Sequence, residues 1–128
     1  MGYAQLLVHD SLYCRGMPAA TATLSHTAAL SRLGHALGDP TRAGVLLALR
    51  EAPAYPSDLA DDLGVSRQVM SNQLACLRGC GLVEAMPEGR RTGYRLADEH
   101  LAAALDELLR VTLRVEPDCC DGDGCSCA

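Results

Sequence analysis

PSDLADDLGVSRQVMSNQLACLRGC, the stretch from Pro56 to Cys80, decides the fold. Pro53 and Pro56 punctuate a turn, and Pro56 to Leu63 reads as a short helix with Leu59, Ala60 and Leu63 facing inward. Gly64 suits a left-handed position that ends it, and Ser66, two residues on, suits an N-cap. A longer helix follows from Arg67 to about Cys80 and buries Met70, Leu74 and Leu77. Its first half shows Arg67, Gln68, Ser71, Asn72 and Gln73, side chains that hydrogen-bond base edges and phosphates. A short helix, a tight turn and a longer helix with a polar leading half fit the major groove of DNA.

The flanks extend the pattern. Ser25 can cap a helix carrying Leu30, Leu33 and Leu37 and ended by Gly38. Asp39-Pro40 opens the next, with Val45, Leu46 and Leu49 buried, because Asp satisfies free N–H groups and Pro fits the first helical turn. Beyond Gly81, Leu82 to Pro87 and Thr92 to Leu96 flank Glu88-Gly89-Arg90-Arg91, which reads as a hairpin with a basic tip. Arg90 and Arg91 are the candidates for phosphate contacts there. A final helix is expected from Asp98 to about Val115, its apolar stripe of Leu101, Leu105, Leu108, Leu109 and Thr112 suited to a dimer face.

Length allows a single domain. The expected organisation is a weakly ordered extension over 1–22, a helical domain with a small β-hairpin over 23–115, and a Cys-rich acidic tail over 116–128. Phe and Trp are absent, so the core is aliphatic. No apolar run approaches the roughly 20 residues that span a bilayer, and His9 and Asp10 interrupt any leader, so a cytoplasmic chain with no membrane partner is expected. The net charge of -5 argues at first against nucleic acid, yet it is unevenly spread. Between Ser66 and Arg95, Arg67, Arg78, Arg90, Arg91 and Arg95 stand against Glu84 and Glu88, a local balance of +3, whereas from Glu116 onward every charge is acidic. No nucleophile is paired with a base, and no phosphate loop or general-acid pair is visible, so an enzyme is not expected.

Leu33-Gly34, Asp39-Pro40-Thr41-Arg42, Asp58-Leu59-Ala60, Ser71-Asn72-Gln73-Leu74, Leu77-Arg78, Gly81-Leu82-Val83, Glu88-Gly89-Arg90 and Tyr94-Arg95-Leu96 together resemble the ArsR/SmtB family over about residues 25 to 115. The resemblance implies a homodimeric winged helix-turn-helix repressor that binds operator DNA and responds to metal. Gln73 stands where many members carry His. The family's arsenical site, a Cys-x-Cys before the recognition helix, falls on Tyr55, Pro56 and Ser57 and is absent. Of its zinc site, Asp98 and His100 match one half, but the other half falls on Val111 and Arg114, so Asp98 reads as a helix cap and His100 as a surface residue.

Seven cysteines in a reducing compartment read as metal ligands or redox thiols. Cys76 and Cys80, at i and i+4, project from one side of the longer helix about one turn apart and can share one ion. As small buried hydrophobes they would need no ligand. The tail cysteines, Cys119, Cys120, Cys125 and Cys127, have little packing reason to exist. The Cys76-to-Val83 stretch with tail cysteines is similar to the cadmium- and lead-sensing members of the family, which implies a third ligand near Cys119, Cys120 or Asp121, supplied by the partner subunit, with Cys120 preferred. Thiolates favour soft ions, Cd(II) or Pb(II) first, with Zn(II), Cu(I) and As(III) left open. Two other readings stay open: a repressor of the same fold answering to thiol oxidation or persulfide, and a cytosolic metal-sequestering protein.

Overall fold

The computed structural model describes residues 24–111 and 114. Its elements are α1 (His26–Leu37), α2 (Pro40–Glu51), α3 (Pro56–Leu63), α4 (Arg67–Gly79), β1 (Val83–Glu88), β2 (Arg91–Leu96) and α5 (Glu99–Leu109). The expected 1–22 extension and 116–128 tail lie outside the described residues.

Short polar side chains start the helices where the sequence places them. Ser25 accepts from the Ala28 N–H at 3.2 Å, Asp39 from Arg42 at 3.0 Å and Ser66 from Val69 at 3.1 Å. Pro40 and Pro56 occupy first turns, where a missing N–H costs nothing. Gly64, at φ 65°, closes α3; its N–H reaches Asp61 O at 3.3 Å and the Val65 N–H reaches Ala60 O at 3.0 Å. That paired closure reverses the chain within two residues and delivers Ser66 to cap α4.

The core gathers Val45, Leu46 and Leu49 of α2, Leu59 and Ala60 of α3, Met70, Leu74 and Leu77 of α4, then Val83 and Leu105. The longer helix α4 is thus held by its apolar side against α2 and α3, and its polar side is left outward. The first helix contributes Ala36 to this core, while Leu30 is 69% exposed. On α5, Leu105 is buried, but Leu108 and Leu109 are 46% and 58% exposed. That helix ends at Leu109 with Arg110 as its C-cap, short of the expected Val115, and Thr112 of its expected stripe lies outside the described residues.

The two strands pair antiparallel from Val83↔Leu96 to Glu88↔Arg91. Glu88 and Arg91 are therefore strand residues rather than loop, and only Gly89 and Arg90 form the tip. Gly89 takes φ 62°, which suits the tight turns whose twist matches the strands. Beside this ladder the structure adds a single rung: Ala54, just before α3, bridges Tyr94 of β2, with N–H···O bonds of 3.0 and 2.8 Å in the two directions.

Candidate DNA interface and cysteine pair

Along α4 the leading polar residues face outward as the sequence suggests. Arg67, Gln68, Ser71 and Asn72 are exposed, and so is Val69 among them. The Gln68 Nε2 donates to Asn72 Oδ1 at 3.1 Å, an i,i+4 pair that holds both amides at one level of the helix.

Gln73 differs. It is half-buried, and its Oε1 accepts from Arg42 Nη1 at 3.2 Å. The same guanidinium donates to His35 O at 2.9 Å and to Ala36 O at 3.2 Å, near the end of α1, where a cation also suits the negative end of the helix dipole. In the sequence Arg42 is one residue of the Asp39-Pro40-Thr41-Arg42 motif, and its grip on α1 and α4 exists only once those helices pack together.

On the hairpin, Arg90 and Arg91 are exposed. The Arg91 guanidinium lies 3.6 Å above the centroid of the Tyr55 ring. The Tyr55 hydroxyl donates to Glu88 Oε2, and this bond, with the nearby carboxylate charge, holds the phenol above its ordinary pKa of 10.0. Arg95 pairs with Glu84 across the strands.

Cys76 and Cys80 lie at the other end of α4. The Cys80 N–H donates to Cys76 O at 3.0 Å, which puts the two residues one helical turn apart. They are 4% and 9% exposed. Cys80 and Gly81 border an open cleft of about 360 Å³ whose other walls come from α1, with Ala29 and Arg32, and from α5, with Leu101 and Ala104. Cys76 is disulfide-bonded, and not to Cys80. Its sulfur becomes a metal ligand only after reduction, because the thiolate is the ligating form.

Among the described residues no cluster of three or more His, Cys, Asp or Glu could hold a metal. The expected tail ligands, Cys119 and Cys120, lie outside the described residues. Asp98 caps α5, accepting from the His100 N–H at 2.7 Å and lying 3.0 Å from its Nδ1. The backbone bond, then the ring, hold its carboxyl below the ordinary 3.8. That is the capping role its position suggests.

Residues 39–85 match the family model described as "Bacterial regulatory protein, arsR family". Over 90 residues the chain is 57% identical to the HTH-type transcriptional regulator CmtR of Mycobacterium tuberculosis, covering 70% of this chain and 76% of that one. An NMR structure of the cadmium metal-sensor CMTR from the same organism superposes with a TM-score of 0.57 at 56% identity, over 69% of this chain and 92% of that one. The homodimeric winged helix-turn-helix domain of a possible ArsR-family regulator from Mycobacterium bovis superposes with a TM-score of 0.59 at 30% identity, over 70% and 88%. With that likeness, and with five helices and one hairpin among the described residues, the chain belongs to the ArsR family of winged helix-turn-helix transcriptional regulators and is not an enzyme.

Proposed function

We propose that this regulator is a repressor that binds operator DNA as a homodimer and releases it when Cys76, Cys80 and a tail cysteine, Cys120 or Cys119, hold a soft metal ion, Cd(II) or Pb(II) before Zn(II), Cu(I) or As(III). The observation that carries the reading is the placement of Cys76 and Cys80 one turn apart at the end of the helix whose other half presents Arg67, Gln68, Ser71 and Asn72. Ligand and DNA then act on one rigid element, and anything that moves its last turn re-aims its first. Two cysteines one helical turn apart suit a soft ion once Cys76 is reduced, and the cleft beside Cys80 gives a third donor a way in. The 57% identity to CmtR and the likeness to a cadmium sensor support the choice of metal class.

Homodimerisation is supported by the exposed leucines of α1 and α5 and by the homodimeric relative. Gln73 keeps a role near the bases, now shared with Arg42, and Arg90 and Arg91 serve the phosphates. A cytoplasmic site of action fits a DNA-binding regulator, and among the described residues no helix is long and apolar enough to cross a membrane.

The deciding experiment titrates the reduced protein with Cd(II), Pb(II), Zn(II), Cu(I) and arsenite while binding to the promoter of its own gene is followed by anisotropy. Release by Cd(II) or Pb(II) at the lowest concentration supports the reading; retention of DNA by the metal-loaded protein sinks it. The disulfide at Cys76 favours a second reading, in which oxidation of that thiol is the signal. Release by peroxide with no response to any of the metals would select it.

A further inference from the structure

The place where the family's arsenical site begins is held here by Tyr55, and the structure gives this residue other work. Its ring lies against β2 at Gly93, where Cε1 is 3.7 Å from the point at which a Cβ would stand, an ordinary van der Waals contact. The rung between Ala54 and Tyr94 fastens the same segment to the hairpin by two backbone bonds. Tyr55 is thus fixed to the wing from below while its face and its hydroxyl meet the two residues that flank the tip.

Those two residues carry opposite charges and stand directly opposite in the strand register, Glu88↔Arg91. Left to themselves they would pair, and the wing would present a neutralised cation to DNA. The arrangement found is different. Glu88 accepts from the Tyr55 hydroxyl, Arg91 stacks on the Tyr55 ring, and the ion pairs of the described residues do not include Arg91. Stacking uses the face of the guanidinium and leaves its N–H groups, which lie in its plane, directed outward for an anionic oxygen.

We propose that Tyr55 is a positioning residue for DNA binding: its ring presents Arg91 as an oriented cation to a backbone phosphate, and its hydroxyl draws the Glu88 carboxylate aside. This rests on the DNA-binding reading above. It also makes Tyr55 a determinant of general DNA affinity rather than of base choice, because phosphates carry no sequence.

The test measures binding of the reduced, metal-free full chain to a 30-base-pair duplex of random sequence across a range of NaCl concentrations. The slope of log affinity on log salt counts phosphate contacts, which a loss of fold stability alone does not change. Tyr55→Leu, which keeps an apolar cover over Gly93, is expected to flatten the slope by about one unit for each wing engaged. Arg91→Ala should flatten it equally, and the double variant no further. Tyr55→Phe keeps the ring and frees Glu88; its loss of affinity should be restored by Glu88→Gln, and this pair carries the test if Tyr55→Leu folds poorly. A wild-type slope in Tyr55→Leu, additive losses in the double variant, or no restoration by Glu88→Gln overturns the role given to Tyr55. If the wild-type chain itself does not bind the duplex, the DNA-binding reading falls first and this one with it.

Discussion

Replacing both Cys76 and Cys80 by Ser separates packing from the proposed ligation, because the sizes of the two effects can be worked out. Each side chain is almost fully buried, at 4% and 9% exposure, so each substitution takes a hydroxyl into an apolar setting. Such burial costs about 1–3 kcal/mol in proteins. A helical Ser can offset part of this by bonding back to the carbonyl four residues earlier, Asn72 O for position 76, which puts each site near the lower end. Adjacent sites are not strictly additive, so about 2 kcal/mol is expected for the pair, within the roughly 5–15 kcal/mol that holds a domain together. At about 4–8 °C per kcal/mol for a domain of this size, the melting point should fall by roughly 8–16 °C, leaving a folded protein at room temperature. Metal release, by contrast, depends on a coupling free energy of about 1–3 kcal/mol, a 5- to 150-fold change in operator affinity, and should vanish completely. The assay is anisotropy of a labelled promoter duplex under reducing conditions, with and without Cd(II) or Pb(II), beside a thermal melt. The Cys76→Ala/Cys80→Ala protein serves as the packing control: it keeps an apolar core, so it too should bind DNA and ignore metal. If either double variant leaves the promoter at the wild-type metal concentration, the cysteines are only core residues and the sensing site lies elsewhere.

Acid should unravel the start of α5 in a way traceable to Asp98. Its carboxyl pKa is depressed below 3.8 by the His100 backbone bond and then the ring, so its stabilisation is complete above pH 3.8 and is lost as pH falls through the lower folded value; Asp98→Asn, which still caps, should show a flatter acid limb by circular dichroism. Arg42→Ala removes three hydrogen bonds of 2.9–3.2 Å from a half-buried guanidinium, and after replacement of some by water should cost about 2–3 kcal/mol in urea denaturation; a loss below about 0.5 kcal/mol would show the grip to be idle. Leu30→Asp combined with Leu108→Asp places charges on the exposed apolar faces of α1 and α5 and should give a monomer by analytical ultracentrifugation with sharply weaker promoter binding. Gln73→Ala should change which base is preferred, measured by selection from a random pool, whereas Arg91→Ala should weaken all sequences alike.

The local features of the fold were readable because each rests on neighbours in the chain. Ser25, Asp39, Ser66 and Asp98 cap within three residues of themselves, Gly64 turns the chain by its own backbone, and the stripe Met70, Leu74 and Leu77 is a matter of helical spacing. The rung between Ala54 and Tyr94 joins residues forty positions apart, and neither a turn signal nor a period announces it. Tyr55 was noticed only as the residue occupying an absent metal site, since its stack on Arg91 needs the hairpin already folded over it. Leu30, Leu108 and Leu109 belong to apolar stripes and stand exposed among the described residues, so periodicity found the helices without saying which surface buries them. The spacing of the cysteine pair left open whether its members are buried, and the structure buries both.

The Arg42 fork has an evolutionary consequence. If Gln73 reads operator bases as proposed, it must be able to vary as operators diverge, yet position 73 is bound to a guanidinium that also ends α1. A new residue at 73 that cannot accept from Arg42 leaves one of its donors to water and loosens the junction between two helices. Drift in DNA preference at this position is therefore tied to the joint behind it, and residues 42 and 73 should be inherited as a matched pair.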